Sequence, residues 1–178
     1  MVSLAKPPPL AYVIGMGLSL ALYQPDIPQN VGAAMRLCAC IGAGLEIIAP
    51  CGFIWDARKI RQSAMDYYDS CGLQRHTSWR SFLDLNQGRR RIVLLTTKVA
   101  APYTDFAFTA DDVLLMGRES AGVPDDVYNA ADACLTIPMK PGVRSLNVVN
   151  AASMVMGEAL RQTKGFYDEC TSEKTGTI

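Results

Sequence analysis

Short apolar runs that alternate with helical segments constrain the fold of this chain more than any other feature of its sequence. Each run has the length of a buried strand and is too short for a core helix. The segments between the runs have the prolines and bounding glycines of helices. The runs cover 18–23, 45–49, 91–97, 112–117 and 133–137, and helices are predicted at 29–41, at 78–85, shortly after Pro124 and at 147–162, with 58–68 helical or mixed.

This alternation predicts an α/β fold with a mostly parallel sheet flanked by helices. The 178 residues fit one domain, which we place at 18–164. Residues 1–17 contain three consecutive prolines and two glycines without a hydrophobic period, so we interpret them as a flexible N-terminal extension. The polar residues 165–178 are interpreted as a loose C-terminal tail.

The apolar segments do not predict a membrane protein. A transmembrane helix needs about 20 consecutive apolar residues, and the best run, 11–23, is shorter and contains glycines and a serine. The N-terminus is a poor match to a secretory signal, so a cytoplasmic protein is expected. The segment 147–162 is apolar almost all round, and a helix without a polar face is buried in a core or an interface.

The cysteines predict neither disulfides nor a metal site. There are six of them, without a CxxC pattern, and His76 is the only histidine. A disulfide framework is typical of short secreted chains, and zinc sites need closely spaced Cys and His ligands. Reduced, partly buried thiols and no bound metal are therefore expected.

The charges are balanced overall but segregated along the chain. Residues 54–98 contain nine basic and four acidic residues, whereas 99–135 contain one basic residue and seven acids. Segregation of this kind can focus a local positive field for an anionic partner. Solvation of exposed helices explains the same pattern more simply.

Three compact motifs occupy the loops beyond the carboxyl ends of the predicted strands, where parallel sheets bind their ligands. The first is PDIPQNVGAAMR at 25–36, which leads from a strand into a helix. The second, LMGRESAGVP at 115–124, is a glycine-bounded loop. The third, IPMKPGVRSLNVVNAA at 137–152, leads into the last helix.

In this order and spacing the motifs resemble those of the SPOUT superfamily of RNA methyltransferases. The similarity extends from about Ser19 to about Gln162 and is closest to the small, single-domain branch, the TrmL type, that 2′-O-methylates the wobble nucleotide of tRNA. It implies an α/β-knot fold with a deep C-terminal trefoil knot, S-adenosyl-L-methionine as cofactor, and a homodimer formed through the C-terminal knot helix. The implied substrate is the ribose of nucleotide 34, a cytidine or modified uridine, in the anticodon stem-loop of tRNA, with leucine tRNAs expected.

The resemblance also implies a set of catalytic residues. Arg36 is interpreted as a clamp that orients the target ribose, because a guanidinium stays protonated and is a poor base. Without the motifs, Arg36 is a surface cation, Glu119 is a loop carboxylate, and the Asn and Ser residues are helix caps worth about 1 kcal/mol each. The set comprises Asn30, Arg36, Glu119, Ser145 and Asn147.

A second set is implied to bind the cofactor, largely through the backbone. Backbone groups recognise the adenine edge without special side chains, and a glycine leaves room for close approach. This set comprises Leu95, Thr96, Met116, Gly117, Ile137, Ser145 and Leu146.

Other functions fit the sequence less well. A nucleotide-dependent oxidoreductase finds support only in Gly15-Met16-Gly17, which precedes a strand instead of following one. An RNA-binding module with a vestigial cofactor site is a non-enzymatic alternative, and it would give no heat on titration with S-adenosylmethionine. Within the superfamily, the main alternative is 2′-O-methylation at another position of tRNA or in rRNA.

Overall fold

The computed structural model describes residues 17–68, 71–98 and 100–166. The predicted extension 1–17, except for residue 17, and the predicted tail 165–178, except for residues 165 and 166, lie outside the described residues. The described strands are β1 (Ser19–Tyr23), β2 (Gly44–Ile48), β3 (Leu73–His76), β4 (Ile92–Leu95), β5 (Ala101–Pro102), β6 (Val113–Met116) and β7 (Ala133–Thr136). The described helices are α1 (Pro28–Ile41), α2 (Ala57–Ala64), α3 (Trp79–Asn86), α4 (Asp125–Asn129) and α5 (Val148–Thr163).

The described strands form one sheet of order β3-β2-β1-β6-β4-β7-β5, and every pairing in it is parallel. The prediction of a parallel α/β sheet is therefore confirmed. Two strands were not predicted from the sequence, β3 and β5, and they are the two edge strands. An edge strand is half open to solvent, and neither β3, with Gln74 and Arg75 at its centre, nor the two-residue β5 has the apolar run that marks a buried strand.

The core lies on both faces of the sheet because side chains alternate along each strand. In β1, Leu20 and Leu22 belong to the cluster covered by α1, α2 and α5. Ala21 and Tyr23 point the other way, into the cluster covered by α3 and α4. The strand β1 is buried along its whole length, at the centre of the domain.

Local sequence sets the ends of the helices that flank the site. Pro28 occupies the first turn of α1, where its missing N–H costs no hydrogen bond, and Gly42 ends that helix in the left-handed conformation at φ 68°. At α5, the side chain of Asn147 accepts hydrogen bonds from the amides of Val149 and Asn150. Asn147 is therefore a helix cap, as its residue type predicts.

Helix α5 is buried on one face only within the subunit. Ala152, Val155, Met156, Ala159 and Leu160 pack into the core, while Met154 is 44% exposed on the opposite side. The sequence of α5 is apolar almost all round, but the fold of one chain buries only one side of this helix. No helix of the described residues is long and apolar enough to cross a membrane.

A buried polar cluster connects the ends of the sheet opposite the predicted motifs. Glu46 in β2 accepts hydrogen bonds from Ser19, Asn86 and Arg90 and contacts His76 Nε2 at 2.9 Å. Burial raises the pKa of Glu46, but the hydrogen bonds from His76 and Ser19 and the charge of Arg90 outweigh it, so that this pKa lies below its ordinary value. Arg90 also donates to the carbonyl of residue 17, which fixes the start of the domain.

Candidate active site

A cavity of about 720 Å3 opens at the carboxyl ends of β4, β6 and β7. Its walls are the loops that follow these strands, together with Ile27 and Asn30 at the start of α1. The volume is that of a typical small-molecule site. All seven residues predicted to bind the cofactor line it, namely Leu95, Thr96, Met116, Gly117, Ile137, Ser145 and Leu146.

The loop after β6 is closed by a pair of backbone hydrogen bonds. The amides of Arg118 and Gly122 each donate to the other residue's carbonyl oxygen at 2.9 Å. This pairing brings Gly117 so close to Gly122 that a Cβ atom at position 117 would lie 2.7 Å from the Gly122 carbonyl carbon. Gly117 is therefore required by the backbone of its own loop, which forms one wall of the cavity.

Asp26 holds this loop against the start of α1. Its carboxylate accepts hydrogen bonds from the Arg118 guanidinium at 2.7 Å and from the Ser120 hydroxyl at 2.6 Å. The hydrogen bonds from Arg118 and Ser120 lower the pKa of Asp26 to about 2. The role of Asp26 is not predictable from its motif, because its partners lie more than 90 residues away in the chain.

Three predicted catalytic residues form a continuous relay of hydrogen bonds. Asn30 donates from its amide nitrogen to Glu119 Oε1 at 2.8 Å, and Asn147 donates to the amide oxygen of Asn30 at 3.1 Å. The second carboxylate oxygen of Glu119 accepts from the backbone amide of Asp26 at 2.8 Å. Each of the three residues comes from a different sequence motif, so the relay joins all three motifs at the cavity.

The structure tests the simpler interpretation that the Asn and Ser residues of the site are only helix caps. Asn30 does not cap α1, whose N-cap position is Ile27; it is 8% exposed and lines the cavity. Asn147 caps α5 and joins the relay at the same time. Ser145 lies two residues before the α5 cap and also lines the cavity.

Arg36 is the one predicted catalytic residue that does not line the cavity. It lies six positions after Asn30 in α1, about 240° around a helix of 3.6 residues per turn, so the two side chains point in different directions. Its guanidinium instead lies 3.5 Å from Met65 Sδ and 5.9 Å from the centre of the Tyr67 ring. Within one chain Arg36 therefore lies apart from Gly117 and Ser145, and its role in the site stays a prediction.

Two cations at the cavity were missed from the sequence. Arg144 and Lys98 both line it, and Lys98 also lies 3.7 Å from Asp125 and 5.0 Å from the centre of the Tyr128 ring. A basic residue in a loop carries no signal by itself, so only the fold reveals the position of these charges. Among the described residues, no group of three or more His, Cys, Asp or Glu side chains could hold a metal.

The fold and the cavity define an α/β protein with a small-molecule site beyond the ends of its parallel strands. The SpoU rRNA Methylase family matches residues 17–157. A tRNA (cytidine(34)-2'-O)-methyltransferase of Beijerinckia indica is 57% identical over 145 residues, which are 80% of this chain and 90% of the relative. This chain belongs to the SpoU methylase family.

Solved structures agree with this assignment. One described as "Structural insights into the 2-OH methylation of C/U34 on tRNA" matches with a TM-score of 0.79 and 36% identity, over 85% of this chain and 99% of that one. The SpoU methyltransferase AviRb of Streptomyces viridochromogenes, solved with the cofactor AdoMet, matches with a TM-score of 0.76 and 28% identity, over 85% of this chain and 62% of that one. The resemblance seen in the motifs is thus confirmed, while the trefoil knot stays a prediction.

Proposed function

We propose that this protein transfers a methyl group from S-adenosyl-L-methionine to the 2′-hydroxyl of nucleotide 34, a cytidine or modified uridine, in tRNA. The observation that carries the proposal is the relay through Glu119, Asn30 and Asn147, which joins three motifs beside one cavity. The Beijerinckia relative and the solved structure concerned with C/U34 support the choice of substrate.

The cavity suits a nucleoside that carries an amino-acid tail. Leu95, Met116 and Ile137 provide apolar surface for a base, and Gly117 allows close approach to the backbone. Arg144 supplies a positive charge for a carboxylate. S-adenosylmethionine supplies an electrophilic methyl group on a sulfonium, so the reaction exchanges a carbon–sulfur bond for a carbon–oxygen bond and releases the hydroxyl proton to water.

The relay is suited to positioning the ribose. Both carboxylate oxygens of Glu119 already accept hydrogen bonds, from Asn30 and from the amide of Asp26, so Glu119 acts by orienting Asn30. An asparagine amide has two N–H donors and two carbonyl lone pairs, and the contacts with Glu119 and Asn147 use one of each. Asn30 therefore retains one donor and one acceptor for an incoming sugar. Correct positioning of reacting groups accounts for much of the catalysis in such transfers.

Arg36 takes part through a second subunit in this proposal. Exposed apolar side chains lie on α5 and near the cavity, including Met154, Ile27, Leu146 and Val143, and a symmetric dimer is the commonest way to cover such a surface. A homodimer formed through α5 would present the exposed Arg36 of one subunit to the cavity of the other. There Arg36 would clamp a phosphate of the substrate and orient its ribose.

Mixed dimers test this arrangement directly. Arg36→Ala leaves the cavity intact, and Glu119→Ala leaves Arg36 intact, so each variant alone should be inactive. If Arg36 acts across the interface, a heterodimer of the two contains one complete site, and random exchange should restore roughly a quarter of the wild-type activity. If mixing restores no activity although exchange of labelled subunits is verified, Arg36 does not act in the partner's site.

The contact surface for the anticodon stem-loop is proposed to be the exposed part of the basic segment 58–91. Arg58, Lys59, Arg75 and Arg80 are exposed there. Arg90 and Arg91, which belong to the same run, instead bind Glu46 and Asp112. Binding through phosphates releases counterions, so the affinity for tRNA should fall steeply with added salt. A flat salt response would exclude this surface as the main contact.

The reaction itself is tested by mapping modified nucleosides in tRNA from a deletion strain. Loss of a 2′-O-methyl group at position 34, with leucine tRNAs as the expected carriers and the cytoplasm as the expected compartment, supports the proposal. Loss at another tRNA position or in rRNA would select the alternative substrate. Calorimetry with S-adenosylmethionine is the second measurement, since a pure RNA-binding module would give no heat. Arg36→Lys should keep cofactor binding and lose most turnover.

A further inference from the structure

An exposed apolar residue, Ile54, lies in the loop that follows β2, at the same edge of the sheet as the candidate site, and does not line its cavity. Ile54 is 93% exposed, while the side chains on either side of it, Phe53 and Trp55, are half-buried and pack against the core. The Phe53 and Trp55 rings stack with centroids 6.2 Å apart, and the Arg75 guanidinium covers the Trp55 ring at 4.1 Å. The loop therefore presents Ile54 on a fixed support.

The loop belongs to the same edge of the sheet as the cavity. It leaves the carboxyl end of β2, and the amide of Gly52 donates to the carbonyl of Pro25 at 2.9 Å. Pro25 precedes Asp26, which holds the cavity loop after β6. In the sheet, β2 is separated from β6 only by β1, so the ends of these two strands, from which the two loops leave, are two strand spacings or about 10 Å apart.

Two exposed cations follow Ile54 closely in the chain. Asp56 caps α2, and the first turn of that helix then contains Arg58 and Lys59 and no acid. Cations at a helix N-terminus oppose the helix dipole, so this turn gains stability from an anionic ligand. Neither Arg58 nor Lys59 forms an ion pair among the described residues. Arg75, whose guanidinium lies over the Trp55 ring next to Ile54, adds a third exposed cation to this segment.

We infer that Ile54 packs against the face of an unpaired nucleobase next to the target nucleotide, while Arg58, Lys59 and Arg75 contact the neighbouring phosphates. Apolar wedges flanked by basic residues unstack bases in this way, and single-stranded RNA is recognised largely through its base faces. A single exposed isoleucine is common on protein surfaces, but one held between two packed aromatic residues, with three exposed cations in the neighbouring segments, suits an unstacked nucleotide. The inference rests on the proposed function, and it assigns the loop the selection of nucleotides that flank the target.

The test compares Ile54→Ser with Leu85→Ser, a matched control on α3 at 46% exposure. Affinity for an anticodon stem-loop RNA is measured by fluorescence anisotropy without cofactor, with 2-aminopurine beside the target nucleotide as a second probe. Ile54→Ser should weaken RNA binding roughly 5- to 30-fold, raise KM more than it lowers kcat, and abolish the 2-aminopurine change. Ile54→Phe should keep both the RNA affinity and the 2-aminopurine change of wild type, and so should Leu85→Ser.

The remaining outcomes separate this inference from the proposed function. Equal RNA affinity and an equal 2-aminopurine signal for wild type and Ile54→Ser would overturn the inference while wild-type methylation of tRNA still upheld the function. Failure of the wild-type protein to bind RNA would overturn both. If Ile54→Ser changes the oligomeric state in sedimentation, Ile54 is a contact between subunits and the inference is wrong. In Ile54→Ser the affinity for S-adenosylmethionine, measured by calorimetry, and the melting temperature should be the same as in wild type.

Discussion

Replacement of Gly117 by alanine should disable the cavity by forcing its loop apart. The added Cβ would lie 2.7 Å from the carbonyl carbon and 2.8 Å from the Cα of Gly122, whereas carbon atoms in contact prefer about 3.5–4.0 Å. The two segments must therefore separate by about 0.8 Å. The paired backbone hydrogen bonds between Arg118 and Gly122 resist this, as do the contacts of Asp26 with the same loop.

The size of the effect follows from this geometry. Forcing extra atoms into a packed site costs about 1–3 kcal/mol, and a tenfold change in affinity corresponds to about 1.4 kcal/mol. Since the strain falls on the wall of the cavity, Gly117→Ala should weaken the binding of S-adenosylmethionine roughly 5- to 100-fold. Isothermal titration calorimetry measures this directly.

Gly88→Ala is the control for this measurement. Gly88 has a φ of +74° and open space around its Cβ position, so alanine there costs roughly 1–2 kcal/mol of backbone strain. It lies in the loop before β4, at the other end of the strand from the cavity. It should lower the melting temperature but leave the affinity for S-adenosylmethionine unchanged. Wild-type affinity in Gly117→Ala would refute the argument that the closed loop shapes the site.

Three further predictions concern the polar contacts. Arg90→Met leaves the carboxylate of Glu46 buried without its cation, so the free energy of unfolding, measured in urea, should fall by about 3–5 kcal/mol. The pKa of Asp26 is lowered to about 2. Its ionised form therefore stabilises the fold fully above about pH 4, and this stabilisation is lost as the pH falls through about 2. The difference in melting temperature between wild type and Asp26→Asn should accordingly shrink as the pH is lowered from about 4 to about 2. Asn147→Asp keeps a good cap for α5 but has no donor for Asn30, so turnover should fall while the melting temperature stays near that of wild type; unchanged turnover would remove Asn147 from the relay.

The interior of the sheet was predictable because burial on both faces demands apolar runs. The runs that predicted β1, β2, β4, β6 and β7 are the strands with neighbours on both sides. The edge strands β3 and β5 are exposed on one side and do not need an apolar run, so their sequences gave no comparable signal. Sequence periodicity records burial, and it fails where burial is partial.

The residues of the candidate site were predictable where sequence motifs mark them. They were not predictable where their role depends on contacts between distant parts of the chain. Motif order placed Asn30, Glu119 and Asn147 together, and the structure joins them by hydrogen bonds. The role of Asp26 depends on partners far along the chain, which no local pattern reveals. Arg36 was assigned to the same site from the resemblance, although its spacing from Asn30 places it on another side of α1.

The two contacts of Asn147 affect how distant relatives should be judged. Its carbonyl oxygen holds the first turn of α5, and its amide nitrogen holds Asn30. A descendant that had abandoned methyl transfer would still need a cap at that helix, so selection on folding alone would favour a capping residue there, and asparagine is among the best of these. The presence of this residue in a homologue is therefore poor proof that the homologue is active. Glu119, which caps no helix, is the more informative marker of a working enzyme.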